Sequence, residues 1–155
     1  MAGKSVDVST SIDIHADRAA VAAFASNPVN APAWYAKIKS VEWKSAPTIT
    51  VGSRIAFVAH FLGRRLAYTY EIVDLVPNER FVMRTAEGPF PMETSYTWES
   101  IGPGLTRMTL RNRGTPSGFS RWVAPFMSFA IRRANQKDLV CLKALMEAGS
   151  PERRK

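Results

Sequence analysis

An α+β fold with an antiparallel sheet follows from three features of the sequence. Stretches that alternate apolar and polar side chains far outnumber helical ones. Several of them flank short turn signals, at "LGRR", "GPFP" and "GPG", so that sequence neighbours pair as hairpins. One long helical segment follows the last strand.

The first element, "VDVSTSIDI", is a half-buried strand: Val6, Val8, Ile12 and Ile14 share one face, and Asp7, Ser9, Ser11 and Asp13 the other. Asp17 offers an N-cap to a short helix carrying Val21, Phe24 and Ala25, which Asn27-Pro28 ends. "VNAPAWYAK" makes a second short helix, with Asn30 as cap and Pro32 in its first turn. Val41 and Trp43 begin the next strand.

A two-residue turn at Gly63-Arg64 places Phe61 opposite Leu66, Ala59 opposite Tyr68, Phe57 opposite Tyr70 and Ile55 opposite Ile72. Large apolar groups then share one face. A four-residue loop "GPFP" pairs Thr85 with Thr94, Met83 with Tyr96 and Phe81 with Trp98. Across "IGPGL", Trp98 meets Met108, Tyr96 meets Leu110 and Thr94 meets Asn112. The outer face then carries Arg80, Glu99 and Arg107 in a row and Glu93 opposite Arg113, a solvated ladder of charge pairs.

The closing helix is expected from Ser120 to roughly Met146. Ile131, Ala134, Asn135, Asp138, Leu142, Leu145 and Met146 follow its inward period, with Arg132, Arg133, Lys137 and Lys143 on the other side. Its beginning, "GFSRWVAPFMSFAI", is apolar nearly all round, and Pro125 kinks the helix or starts it afresh.

A chain of 155 residues is enough for one domain, residues 1–149, with a basic tail at 150–155. A single cysteine, Cys141, permits no internal disulfide, and it is expected to be a small core residue. The opening "MAGKSVDVST" lacks the apolar run of a signal peptide, and no stretch is apolar enough to span a bilayer, so a cytoplasmic protein is expected. The net charge of +8 permits an anionic partner. Nucleic acid is not expected, because the strand arginines face acids and no aromatic residue interleaves them.

This order of elements resembles the helix-grip fold of the START-like (SRPBCC) superfamily, which includes the polyketide cyclase/dehydrase and lipid-transport proteins. The carriers are "IHADRAAVAAFASNP", "VGSR", "YEIVDLVPNERF" and "RANQKDLVCLKALME". The resemblance implies a curved sheet of about seven strands wrapped around the C-terminal helix, with an apolar cavity between them. It implies no particular reaction.

The sheet's inner face supplies Phe57, Tyr68, Tyr70, Met83, Tyr96 and Trp98 as candidate ligand contacts. The tyrosines and the tryptophan carry polar atoms that need partners when buried. Thr85, Thr94 and Asn112 are expected in one polar layer of that face, able to orient a ligand or simply to pair with each other around a buried water. "GPFP" lies just beyond this layer. Phe90, held between Pro89 and Pro91, either closes the cavity rim as a flap or packs on the first short helices, and Trp34 is the facing wall. On the last helix, Asn135 and Asp138 stand one turn apart on the apolar stripe.

His15 and His60 fall on outward positions, which removes the usual general base. No cluster has metal-ligand spacing and no phosphate loop appears, so no cofactor is expected. The leading expectation is a binding protein for a small apolar ligand, lipid-like or polyketide-like. The alternatives are a cyclase or dehydratase using tyrosine, asparagine and aspartate, and a module docking through the aromatic half of the last helix. Trp122, Phe126 and Phe129 there call for a cover. A second copy is favoured over a membrane, because the arginines begin only after the aromatic run ends.

Overall fold

The computed structural model of the chain describes residues 5–117 and 124–148. The expected tail at 150–155, with Phe119 and Trp122, lies outside them. In chain order the elements are β1 (Val6–Ile14), α1 (Arg18–Ala25), a 3-10 turn at Pro28–Asn30, α2 (Ala31–Trp34), β2 (Ile38–Trp43), β3 (Arg54–Phe61) and β4 (Arg64–Val76). They continue with β5 (Arg80–Glu87), β6 (Met92–Gly102), β7 (Leu105–Gly114), a 3-10 turn at Ala124–Phe126 and α3 (Met127–Ala148).

The strands form one antiparallel sheet in the order β1-β7-β6-β5-β4-β3-β2. Two bulges curve the β4–β5 pair: Ala86 is the extra residue in β5 opposite Thr69 and Tyr70, and Val73 the extra residue in β4 between Ile72 and Asp74. The curved sheet wraps α3, which packs on β1 and α2. This is the helix-grip architecture that the sequence predicts, with both short helices after the first strand.

Between sheet and helices lies one main core, including Ile14, Val21, Trp34, Ile55, Phe81, Met108, Leu110, Leu139 and Leu142. The α3 stripe is as expected from Ile131 to Leu142, except that Leu139 is fully buried while Leu145 is exposed. Cys141 corrects another expectation. It is exposed, with its thiol 3.6 Å from the Ala33 carbonyl, because it sits on the flank of the stripe beside α2.

Two hairpins are paired one register step away from the expected one. In the first, the turn residues are Leu62 and Gly63, both at positive φ (51° and 75°), so Phe57 faces Tyr68, Ala59 faces Leu66 and Ile55 faces Tyr70. Such a turn favours glycine at its second position, and that preference prevails over placing Gly63 first. In the second, Phe81 faces Tyr96 and Met83 faces Thr94, which lengthens the "GPFP" connection. The Thr85 hydroxyl donates to the Met92 carbonyl and accepts from its N–H, at 2.8 and 2.9 Å, and so closes the hairpin. Both shifts leave every side chain on its expected face. The β6–β7 register is as predicted.

On the outer face the expected Glu93–Arg113 pair forms, and the other members of the charge ladder take different partners. Arg107 pairs with Asp13 across β7–β1, Arg80 with Asp74, and Glu93 bridges Arg84 and Arg113. Pro125 lies in the 3-10 turn and α3 runs from Met127; the expected start at Ser120 lies outside the described residues. Among the described residues no helix is long and apolar enough to cross a membrane.

Candidate functional site: a cavity between the sheet and the last helix

The inward side chains of β3 to β7 do not meet α3 everywhere. They leave a cavity of about 190 Å³. Phe57, Tyr68, Tyr70, Met83 and Tyr96 form its sheet wall, and Thr94 and Asn112 join them. From α3 come Met127, Ile131, Asn135 and Asp138, one from each successive turn. The wall is aromatic and continuous: Phe57 meets Tyr70 edge-on at 5.7 Å, and Phe81 stacks on Tyr96 at 5.6 Å.

Phe90 lines the end of the cavity. It is buried with Leu66 and Tyr68 and meets the Tyr68 ring edge-on at 5.6 Å. The loop comes so close because residue 88 is glycine, where a Cβ would stand 2.6 Å from Tyr68 Cδ1. Phe90 thus packs on the β4 side chains Leu66 and Tyr68.

Not every expected wall residue reaches the cavity. Trp34 is only 1% exposed but stands behind the wall, with the ring of its neighbour Tyr35 tilted against it at 4.0 Å and lining the cavity instead. The chain leaves α2 at Tyr35 in extended conformation (φ −88°, ψ 112°), which turns that ring inward. Trp98 is buried in the core off the wall, and Thr85 is occupied with Met92, so it does not complete the expected layer. Thr94 and Asn112 do pair, Oγ1 to Oδ1 at 2.9 Å.

Polar atoms gather at the α3 side. The Tyr35 and Tyr96 hydroxyls are 2.5 Å apart. Burial raises the pKa of both, and each phenol's proximity to the Asp138 carboxylate adds to that. Burial also raises Tyr70, partly offset by the neighbouring Thr94 and Thr85 hydroxyls. Asp138 is 4% exposed and accepts the Ala36 N–H at 3.1 Å. Burial pushes its carboxyl to about 6, against the pull of that hydrogen bond and of the Lys37 charge. One turn earlier Asn135 is 6% exposed, and its Nδ2 has no hydrogen-bond partner among the described residues.

The sequence offered no signal for Tyr35, which follows a helix of four residues and belongs to no period. Lys37 and the small wall residues Pro28 and Ala31 were missed for the same reason. His60 is exposed on β3 and His15 just after the end of β1, both outward as expected. Among the described residues no three His, Cys, Asp or Glu side chains are grouped to hold a metal.

Comparison with known proteins places this geometry. Residues 5–147 match the family described as polyketide cyclase / dehydrase and lipid transport. A START superfamily protein from Mycobacterium smegmatis superposes with a TM-score of 0.79 at 13% identity, over 93% of this chain and 99% of that one. The Zhui aromatase/cyclase from Streptomyces sp. R1128 gives 0.79 at 14% identity, over 95% and 99%. Ginseng major latex-like protein 151 from Panax ginseng gives 0.72 at 16%, over 93% and 99%. At such identities the likeness speaks to the fold alone. None of the curated proteins matches the sequence significantly.

Proposed function

The chain belongs to the polyketide cyclase/dehydrase and lipid-transport family of the START-like superfamily, and from that premise we propose that it binds a small, largely apolar, lipid-like or polyketide-like molecule in the cavity. The observation that carries this reading is the pairing of an aromatic wall with an unpartnered buried amide, Asn135 Nδ2, beside a buried carboxyl. A buried donor without a partner is costly. A ligand carbonyl or hydroxyl oxygen at the α3 end relieves that cost, while rings or methylenes fill the rest.

Size narrows the ligand. The cavity of about 190 Å³ exceeds the roughly 150 Å³ that admits benzene and falls below the roughly 300–1,000 Å³ of drug-sized pockets. One or two rings, or a short chain, fit without movement of the walls. The test is mass spectrometry of small molecules retained by gently purified protein. A retained apolar compound bearing oxygen supports the reading. A cavity that stays empty, and takes up no fluorescent apolar probe, sinks it.

Asp138 favours a second reading, catalysis of cyclisation or dehydration. A carboxyl whose pKa is raised to about 6 can take up and return a proton near neutral pH, and Asn135 stands one turn away to polarise a carbonyl. Turnover of a polyketide-like substrate, lost in Asp138→Asn with binding retained, distinguishes the enzyme from the carrier.

A further inference from the structure

We infer that the outer face of the beginning of α3, with Phe126, Phe129, Arg132 and Arg133, docks on an anionic lipid surface. Phe126 and Phe129 are each 64% exposed, the most exposed large apolar side chains among the described residues. A soluble surface rarely leaves neighbouring aromatic rings in water without a partner for them. Arg132 and Arg133 follow Phe129 at three and four residues, so the cations stand beside the ring on one side of the helix.

Charge decides the kind of partner. On the sheet, Arg54, Arg80, Arg84, Arg107, Arg111 and Arg113 each bind an acid. On α3, Arg132, Arg133 and Lys137 are exposed and have no ion pair among the described residues. From Met127 to Lys137 the helix holds no acidic residue, and the next, Asp138, is buried. A second copy seated symmetrically on Phe126 and Phe129 brings these arginines against their own equivalents, without acids to receive them. The expectation of a dimer therefore yields. A layer of phosphate headgroups supplies the missing charge, and its interfacial zone accepts aromatic rings. The helix lies along such a surface, since it is not apolar enough to enter as a span. Its opposite side faces the cavity through Met127 and Ile131.

The test is co-sedimentation of the full chain with vesicles of phosphatidylcholine alone, and with phosphatidylglycerol added. Binding is expected to the anionic vesicles only, and to weaken by about tenfold or more in Phe126→Ser with Phe129→Ser, and likewise in Arg132→Gln with Arg133→Gln. Arg107→Gln with Arg111→Gln removes the same charge from the sheet and is expected to change binding less than twofold. Circular dichroism checks that each variant is folded. If the sheet pair weakens binding as much as the helix pair, bulk charge is responsible and the docking face is wrong. Equal binding to both vesicles, or to neither, also overturns it. So does light scattering that shows a dimer dissociated by the phenylalanine changes, which makes a second copy the occupant.

Discussion

The hydroxyl oxygens of Tyr35 and Tyr96 lie 2.5 Å apart, joining the exit of α2 to the middle of β6. One phenol donates and the other accepts. This single bond fixes an irregular segment against the sheet at the cavity wall. Burial holds both phenols neutral, so the pair is a fixed polar point rather than a proton store at ordinary pH.

Removing one hydroxyl is expected to cost more than half of what removing both costs. Tyr35→Phe or Tyr96→Phe leaves a buried hydroxyl without its partner, about 1–3 kcal/mol. The double change removes the orphan as well and should fall well short of the sum. Urea unfolding of the four proteins checks this; strict additivity means that the two hydroxyls are not coupled.

Asp138 sets a pH dependence whose sign is the reverse of an ordinary ion-paired acid. Its folded pKa, about 6, lies above the unfolded value near 3.8, so the folded state holds the extra proton between them. Stability from this group is therefore full below about pH 4 and falls as pH rises towards 6. The shift corresponds to roughly 3 kcal/mol at most, and solvent reaching the cavity reduces it. Asp138→Asn keeps a carbonyl for the Ala36 N–H. It should raise stability at pH 7.5 and change it little at pH 4. A variant equally stabilised, or destabilised, at both values contradicts the buried-charge account.

Phe90 is expected to hold the end of the cavity shut. Truncation to Ala removes a buried ring from Leu66 and Tyr68, at a cost of about 3–5 kcal/mol in a rigid site and less if the loop collapses. Exchange of an apolar fluorescent probe should become faster. Gly88→Ala pushes a methyl towards Tyr68 and should shift the same loop with a smaller loss, about 1–3 kcal/mol. Stopped-flow release from the three proteins is the measurement, and an unchanged rate in Phe90→Ala means that entry lies elsewhere.

Neither histidine should matter to binding. His60 is exposed on β3, and His15 is exposed just beyond the end of β1. Replacement by Gln is expected to leave probe affinity within twofold. A tenfold loss, about 1.4 kcal/mol, assigns one of them a role that the geometry does not give it.

Inward and outward residues were legible in the sequence because alternation survives register errors of two residues in the summed positions: Phe57 stays inward whether it faces Tyr70 or Tyr68. Turn type was not, since it depends on which residue takes a positive φ, and here Leu62 takes it beside Gly63. The candidate wall was readable where a period runs through it, as for Met83, Tyr96, Asn135 and Asp138. It was unreadable where the chain is irregular. Trp34 looked the better anchor by size, yet the backbone direction at the end of α2 gives the inner place to Tyr35.

The placement of β1 at the sheet's far edge has a consequence for how the molecule assembles. Its pairing to β7 joins residues such as Ser11 and Thr109, 98 positions apart in the chain, whereas each of β2 to β6 pairs with its immediate successor. The successive hairpins close short loops, while docking β1 must close nearly the whole chain at once. On a ribosome the first strand emerges early and waits, unpaired, until β7 has been synthesised. Because α3 follows β7 in the chain, the cavity is enclosed only after both β7 and α3 have been made and β1 has docked.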